Sequence, residues 1–203
     1  ALNEQLFANL FNLLASEDSQ FGDSDESLVQ PIADFCLAAN SLSGNCETTS
    51  SFAALPTHER PLFRALLANQ SASRPFTEYL LMVFNRSEDP TALLSHSPPA
   101  RDSVLQMLID LFGHESTIGV FYTNDVHVML EITCRLLDRS SVQCKILPPV
   151  LQLLSLFSIS RRYGDLLARQ SSLREALRRL LAQEELDSNL ATECRNLLQA
   201  VSK

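Results

Sequence analysis

Residues 125–138 read DVHVMLEITCRLLD, and this stretch decides the fold class. Projected at about 100° per residue, Val126, Met129, Leu130, Ile132, Thr133, Cys134, Leu136 and Leu137 cover more than half the circumference of a helix. His127, Glu131, Arg135 and Asp138 fall together in a narrow polar strip. A helix with so wide an apolar arc packs against neighbours on both sides, as helices do inside a stack. Thr123-Asn124-Asp125 supplies cap-type residues, and the spacing predicts a helix starting at Asp125.

The same period recurs outward in both directions. Toward the N-terminus, helices are expected over 2–15 (Leu2, Leu6, Leu10, Leu13, Leu14), over 28–42, from a Thr57 cap through Leu67, from Pro75 to Phe84, and over 104–112. Toward the C-terminus they are expected over 142–158, with a kink or restart at Pro148-Pro149, then 163–169, 171–182 and 188–201. Loops are expected over 16–26, 43–51, 85–90, where Asp89-Pro90 also reads as a cap and helix start, and 95–99. The chain has 203 residues, 37 of them leucine, with only 5 glycines and no tryptophan. That composition excludes glycine-rich nucleotide loops and turn-rich β-sandwiches. The fold class expected is all-α, an irregular armadillo/HEAT-like α-solenoid of about ten helices in a single domain over 1–203, with a compact bundle as the alternative.

Net charge is −8, unevenly spread: −8 over 1–60, −2 over 61–160 and +2 over 161–203. An acidic chain lacks the sustained basic surface that phosphate contact needs, which excludes general nucleic-acid binding. Fourteen of the sixteen basic residues are arginine, the cation best suited to protein interfaces. The five cysteines form an odd set without a C-x-x-C pair, which points to a reducing compartment and small buried apolar roles. The longest uncharged run, 146–160, contains Pro148, Pro149 and Gln152 and is too short for a membrane span of roughly 20 residues. The chain begins without methionine, so it reads as a portion of a longer protein.

Catalytic patterns are absent. His58, His96, His114 and His127 stand in unrelated contexts, and no G-x-S-x-G, H-E-x-x-H or phosphate loop occurs. His127 and Glu131 lack a third and fourth metal ligand. The expectation is a non-enzymatic chain with no metal and no cofactor. Two surfaces are candidates for protein binding. One is the strip with Glu131, Arg135 and Asp138, either a solvated ion-pair face or a ridge that meets a partner. The other is the arginine set Arg161, Arg162, Arg169, Arg174 and Arg178, either ordinary solvated charges or a patch for an acidic protein surface. On the helix around 171–182, Arg174 and Arg178 share one flank and Arg179 lies on the other.

Phe121-Tyr122-Thr123-Asn124-Asp125, followed by Glu131-Ile132, Arg135 and Asp138, resembles the leucine-rich, armadillo-like domain of the WISH/DIP family, Nck-interacting proteins with an SH3 domain and their fungal relatives. Phe84 to Pro90, Pro98-Pro99 before Val104-Leu105, and Arg178 to Glu185 (RRLLAQEE) are similar too. The resemblance spans about Leu80 to Leu198 and is most specific from Tyr122 to Asp138, with Tyr122, Thr123, Asn124 and Asp125 as its structural motif. Glu131 stands where the family more often has aspartate, and Pro148-Pro149 interrupts a segment that is continuous in relatives. The resemblance implies binding to the seven-subunit actin-related-protein complex and its activation without a pre-existing filament. The product is a linear actin filament, which places the protein in the cytoplasm at the actin cytoskeleton. Other cytoskeletal regulators are further partners it allows. A general helical scaffold for other signalling or cytoskeletal proteins is the alternative.

Overall fold

The structure, a computed structural model, describes residues 2–17, 28–44, 57–86, 101–141, 144–160 and 163–202. These residues form ten α-helices and no strand. The all-α expectation is therefore met, and the number of helices agrees with it. Their contacts gather into two compact units, Ala1–Phe121 and Tyr122–Lys203. The boundary falls inside the FYTND run.

The first unit holds α1 (Glu4–Glu17), α2 (Val29–Gly44), α3 (Pro61–Ala68), α4 (Arg74–Asn85) and α5 (Arg101–Phe112). Helix α1 packs on α3 and α4, α2 on α4 and α5, and α4 on α5. Aromatic rings fill the space between them: Phe7, Phe11, Phe63 and Phe76 are buried, and the Phe11 and Phe76 rings lie 5.7 Å apart. The second unit holds α6 (Thr123–Arg139), α7 (Leu147–Ile159), α8 (Gly164–Ala168), α9 (Ser171–Leu181) and α10 (Ser188–Ala200). Here α6 packs on α7 and α9, α7 on α8 and α10, and α9 on α10. This pairwise packing within each unit is compatible with a solenoid-like arrangement.

Prolines set where four of the helices begin. A helix leaves its first four N–H groups without an internal partner, so a residue lacking an N–H costs nothing there. Pro61 and Pro75 open α3 and α4, and Pro31 sits in the first turn of α2. Pro148-Pro149 occupies the second and third positions of α7, whose first internal bond runs from the Val150 N–H to the Ile146 carbonyl at 3.1 Å. Of the two outcomes expected at this pair, the restart is the one adopted.

Several start positions differ from expectation, among them α5, which begins at Arg101 rather than 104, and two of them have a visible local cause. Residues 57–59 form a separate 3-10 turn, and the residue before α3 is Arg60, so Thr57 does not cap that helix. Pro61 and the bond from the Arg60 N–H to the Thr57 carbonyl make the junction instead. Helix α6 begins at Thr123, two residues before Asp125, for the reason given below. Helix α5 stops at Gly113 as expected, and a Cβ there would lie 3.1 Å from the Ile109 carbonyl oxygen. The loops expected at 16–26, 43–51, 85–90 and 95–99 fall wholly or largely outside the described residues, as do the Asp89-Pro90 cap and His96.

Candidate protein-binding surface

Helix α6 buries Val126, Met129, Leu130, Ile132, Thr133, Cys134, Leu136 and Leu137, the same eight residues that its periodicity singles out. The one hydroxyl among them is satisfied locally, since the Thr133 Oγ1 donates to the Met129 carbonyl at 2.6 Å. Asn124, His127, Val128, Glu131, Arg135 and Asp138 are exposed and share the opposite face. Val128, 40% exposed, is the apolar residue among them.

The helix start is fixed from inside the first turn. Asp125 is the third helical residue, and its Oδ2 accepts from the Tyr122 N–H at 3.1 Å. Tyr122 is the residue before the helix and keeps an extended backbone. The carboxylate also sits at the positive end of the helix dipole. Replacing Asp125 with alanine should therefore cost the second unit about 1 kcal/mol, measured by chemical denaturation. A loss under about 0.3 kcal/mol would mean that the bond contributes nothing.

The arginines expected on one surface have separate roles. Arg174 is half-buried: its Nε donates to the Val201 carbonyl at 2.8 Å and its Nη2 to the Ala168 carbonyl at 2.6 Å. It ties the C-terminal ends of α8 and α10 together. Arg178, one turn further along α9, is exposed, and so is Arg169 at the end of α8. Arg161 and Arg162 lie outside the described residues. Arg179, read on the far flank, reaches Asp138 of α6 with Nη2 at 2.6 Å from Oδ1. The fold thus pairs Asp138 with Arg179, and Glu131 and Arg135 are exposed on the outer face of α6.

Sequence reasoning missed two polar constellations in the first unit. In one, the Asn40 Nδ2 donates to Asp110 Oδ2 at 2.8 Å, the Gln106 Nε2 donates to Asp110 Oδ1 at 3.0 Å, and Arg60 Nη1 lies 3.6 Å from Oδ2. The Arg60 and Asp110 side chains are only 15% and 12% exposed. In the other, the imidazoles of His58 and His114 stack with centroids 3.8 Å apart, and the His114 Nδ1 is 2.8 Å from the Ser116 hydroxyl. Only the Gln106–Asp110 and His114–Ser116 contacts are local; Arg60, Asn40 and Asp110 stand 20 to 70 residues apart in the chain, and His58 and His114 likewise lie far apart, so no local signal brings them together.

The described cysteines are free thiols. Burial pushes Cys36 up to about 12, and burial with the Asp138 charge pushes Cys134 up to about 11. Burial with the Glu193 charge pushes Cys194 up to about 11. These shifts hold the thiols neutral and nucleophilically quiet. An unfolded chain releases these protons near their ordinary value of 9.0, whereas the folded chain keeps them. The contribution of these thiols to stability is therefore fully present below pH 9 and is lost as the pH rises above it. Cys36 alone removes about 1.4 kcal/mol per pH unit through that window. Urea titrations at pH 8 and pH 10.5 check this, and equal stabilities would refute it.

The leucine-rich domain of SPIN90/Ldb17 matches residues 3–166. The chain belongs to that family. This is the WISH/DIP family of the sequence resemblance. The protein LDB17 of Saccharomyces cerevisiae is 35% identical over 75 residues, 37% of this chain and 14% of the yeast protein. The chain therefore matches a small part of the length of that relative. In the second unit the matched region takes in the whole of α6 and α7, so the exposed α6 face lies inside the family domain. No helix among the described residues is long and apolar enough to cross a membrane, and no three metal-ligating side chains gather there.

Proposed function

We propose that this chain is a protein-binding module that engages the actin-related-protein complex and activates it to nucleate linear actin filaments without a pre-existing filament. The observation that carries this reading is the family match over residues 3–166, combined with the outer face of α6 in its most specific segment. Actin is then an indirect partner, and other cytoskeletal regulators are further ones. The chain acts in the cytoplasm and catalyses no bond rearrangement.

The mechanism is differential binding. A ligand shifts a conformational equilibrium only by the difference in its affinity for the two states. Moving a complex from 1% to 99% in its active arrangement takes about a 10⁴-fold preference, or about 5.5 kcal/mol. A helical surface set by a packed core suits this role, because little of the binding energy is lost in ordering the surface itself.

Exchanging the signs of the ridge tests the surface. With Glu131→Lys and Arg135→Glu together, binding to the purified complex at low salt should weaken about 5- to 10-fold, mostly through slower association. The difference should shrink as salt rises. Thermal stability should be unchanged, since both side chains are exposed. Equal affinity at every salt concentration would remove this face from the account.

A further inference from the structure

Only two serine or threonine residues in the chain stand three positions after an arginine: Thr77 after Arg74 and Ser172 after Arg169. This spacing lets a guanidinium meet carboxylates in a kinase's substrate groove while the hydroxyl lies at the phosphate being transferred. The fold separates the two. Thr77 is 5% exposed, its Oγ1 donates to the Arg74 carbonyl at 2.9 Å, and the Arg74 guanidinium is paired with Glu78 at 2.7 Å. Ser172 and Arg169 are both exposed. The backbone beside Ser172 also suits a substrate. Arg169 and Gln170 lie between α8 and α9, and Gln170 is extended. Ser172 is the second residue of α9, and no side chain caps the start of that helix. In α10, by contrast, Asp187 accepts from the Asn189 and Leu190 N–H groups. The first N–H groups of a helix have no internal partner, so an uncapped first turn opens at little cost while the rest of the unit stays folded.

We propose that Ser172 is a phosphoacceptor for an arginine-directed serine kinase, and that its phosphate regulates the outer strip of α6. The Ser172 Oγ attacks the γ-phosphorus of magnesium-bound ATP, and the bond from that phosphorus to the β,γ-bridging oxygen breaks. ADP leaves, and the hydroxyl proton passes to the kinase's carboxylate base. The Ser172 hydroxyl is hydrogen-bonded to the Cys134 thiol of α6, and the charges of Asp138 and Glu131 reach that same thiol. A phosphate there adds roughly two negative charges beside those carboxylates. The strip, which carries Arg135 as well as Glu131, then becomes predominantly negative. A partner surface matched to both signs is repelled by it. The phosphate also lies at the positive end of the α9 dipole, so the helix is not melted by it. The regulatory half rests on the proposed function, whereas the acceptor site does not.

The folded 203-residue chain would be incubated with magnesium-ATP and the catalytic subunit of cyclic-AMP-dependent kinase, an arginine-directed enzyme, and mapped by mass spectrometry. Phosphate should appear on Ser172 and not on Thr77. Arg169→Ala should slow incorporation at Ser172 about 10-fold or more. An unmodified Ser172, or incorporation indifferent to Arg169, would overturn the acceptor. The phosphorylated chain should then bind the purified actin-related-protein complex about 5-fold or more weakly than the unmodified chain at low salt, with an unchanged thermal midpoint. Equal affinity would overturn the regulatory half, and so would a large fall in midpoint, which would make the loss one of folding. If the unmodified chain does not bind the complex at all, the functional reading fails, and the phosphate map still decides the acceptor.

Discussion

Asp110→Ala should destabilise the first unit by about 3–5 kcal/mol, one of the two largest losses expected from a single substitution in this chain. Asp110 accepts from Asn40 and Gln106 and faces the Arg60 guanidinium at 3.6 Å. Removing it leaves a cation only 15% exposed and an amide only 2% exposed without their acceptor. The cost comes from stranding those groups. The pair itself contributes little net, because desolvating two charges offsets most of their attraction. Asp110→Asn, which keeps an acceptor, should therefore lose less than half as much. Exchanging Arg60 and Asp110 together for methionine and leucine should recover most of the loss. Urea denaturation of these variants measures the series. A loss under about 1 kcal/mol for Asp110→Ala would show that water reaches the network.

Arg174→Glu is expected to have a comparable effect in the second unit, about 3–5 kcal/mol. Two charge-assisted hydrogen bonds, to Ala168 and Val201, are lost, each contributing about 1.5–3 kcal/mol. The new carboxylate would also face the carbonyl ends of α8 and α10, where the helix dipoles are negative. Lysine at this position should recover only part, since its single ammonium cannot hold both carbonyls in the fixed fork of a guanidinium. Arg178→Glu, on the exposed side of the same helix, should change stability by less than about 0.5 kcal/mol. Thermal and urea unfolding of the three variants would separate the roles. Equal, small effects at both positions would contradict the clamp. A binding experiment that reverses Arg174 and Arg178 together would confuse folding with recognition, so Arg178 alone is the informative surface variant.

These two cases show what was legible in the sequence. The buried face of α6 follows from a period of 3.6 residues, and all eight of its buried side chains are recoverable from the sequence. The start of α7 at Pro148-Pro149 follows from the missing proline N–H groups. Both are local rules. Arg174 and Arg178 occupy one flank of the same helix, and nothing local distinguishes them. They diverge because the ends of α8 and α10 converge on one and not on the other, which is a property of topology. Asn40 and Asp110 meet across 70 residues for the same reason. His58 and His114, which stand in unrelated sequence contexts, become a stacked pair only when α5 packs near the turn before α3. Asp125 is an intermediate case: its residue type signals a helix start, but its place inside the first turn depends on the bond it makes to Tyr122. The candidate surface was legible to the same degree. Its central strip on α6 follows from periodicity, whereas the Asp138–Arg179 pairing does not.

The most direct measurement is pyrene-actin assembly with the purified actin-related-protein complex, this chain and no preformed filaments. The account predicts that the lag shortens as the chain is added and that the filaments are linear when imaged. Assembly curves that superimpose with and without the wild-type chain, at concentrations that saturate its binding, would contradict it.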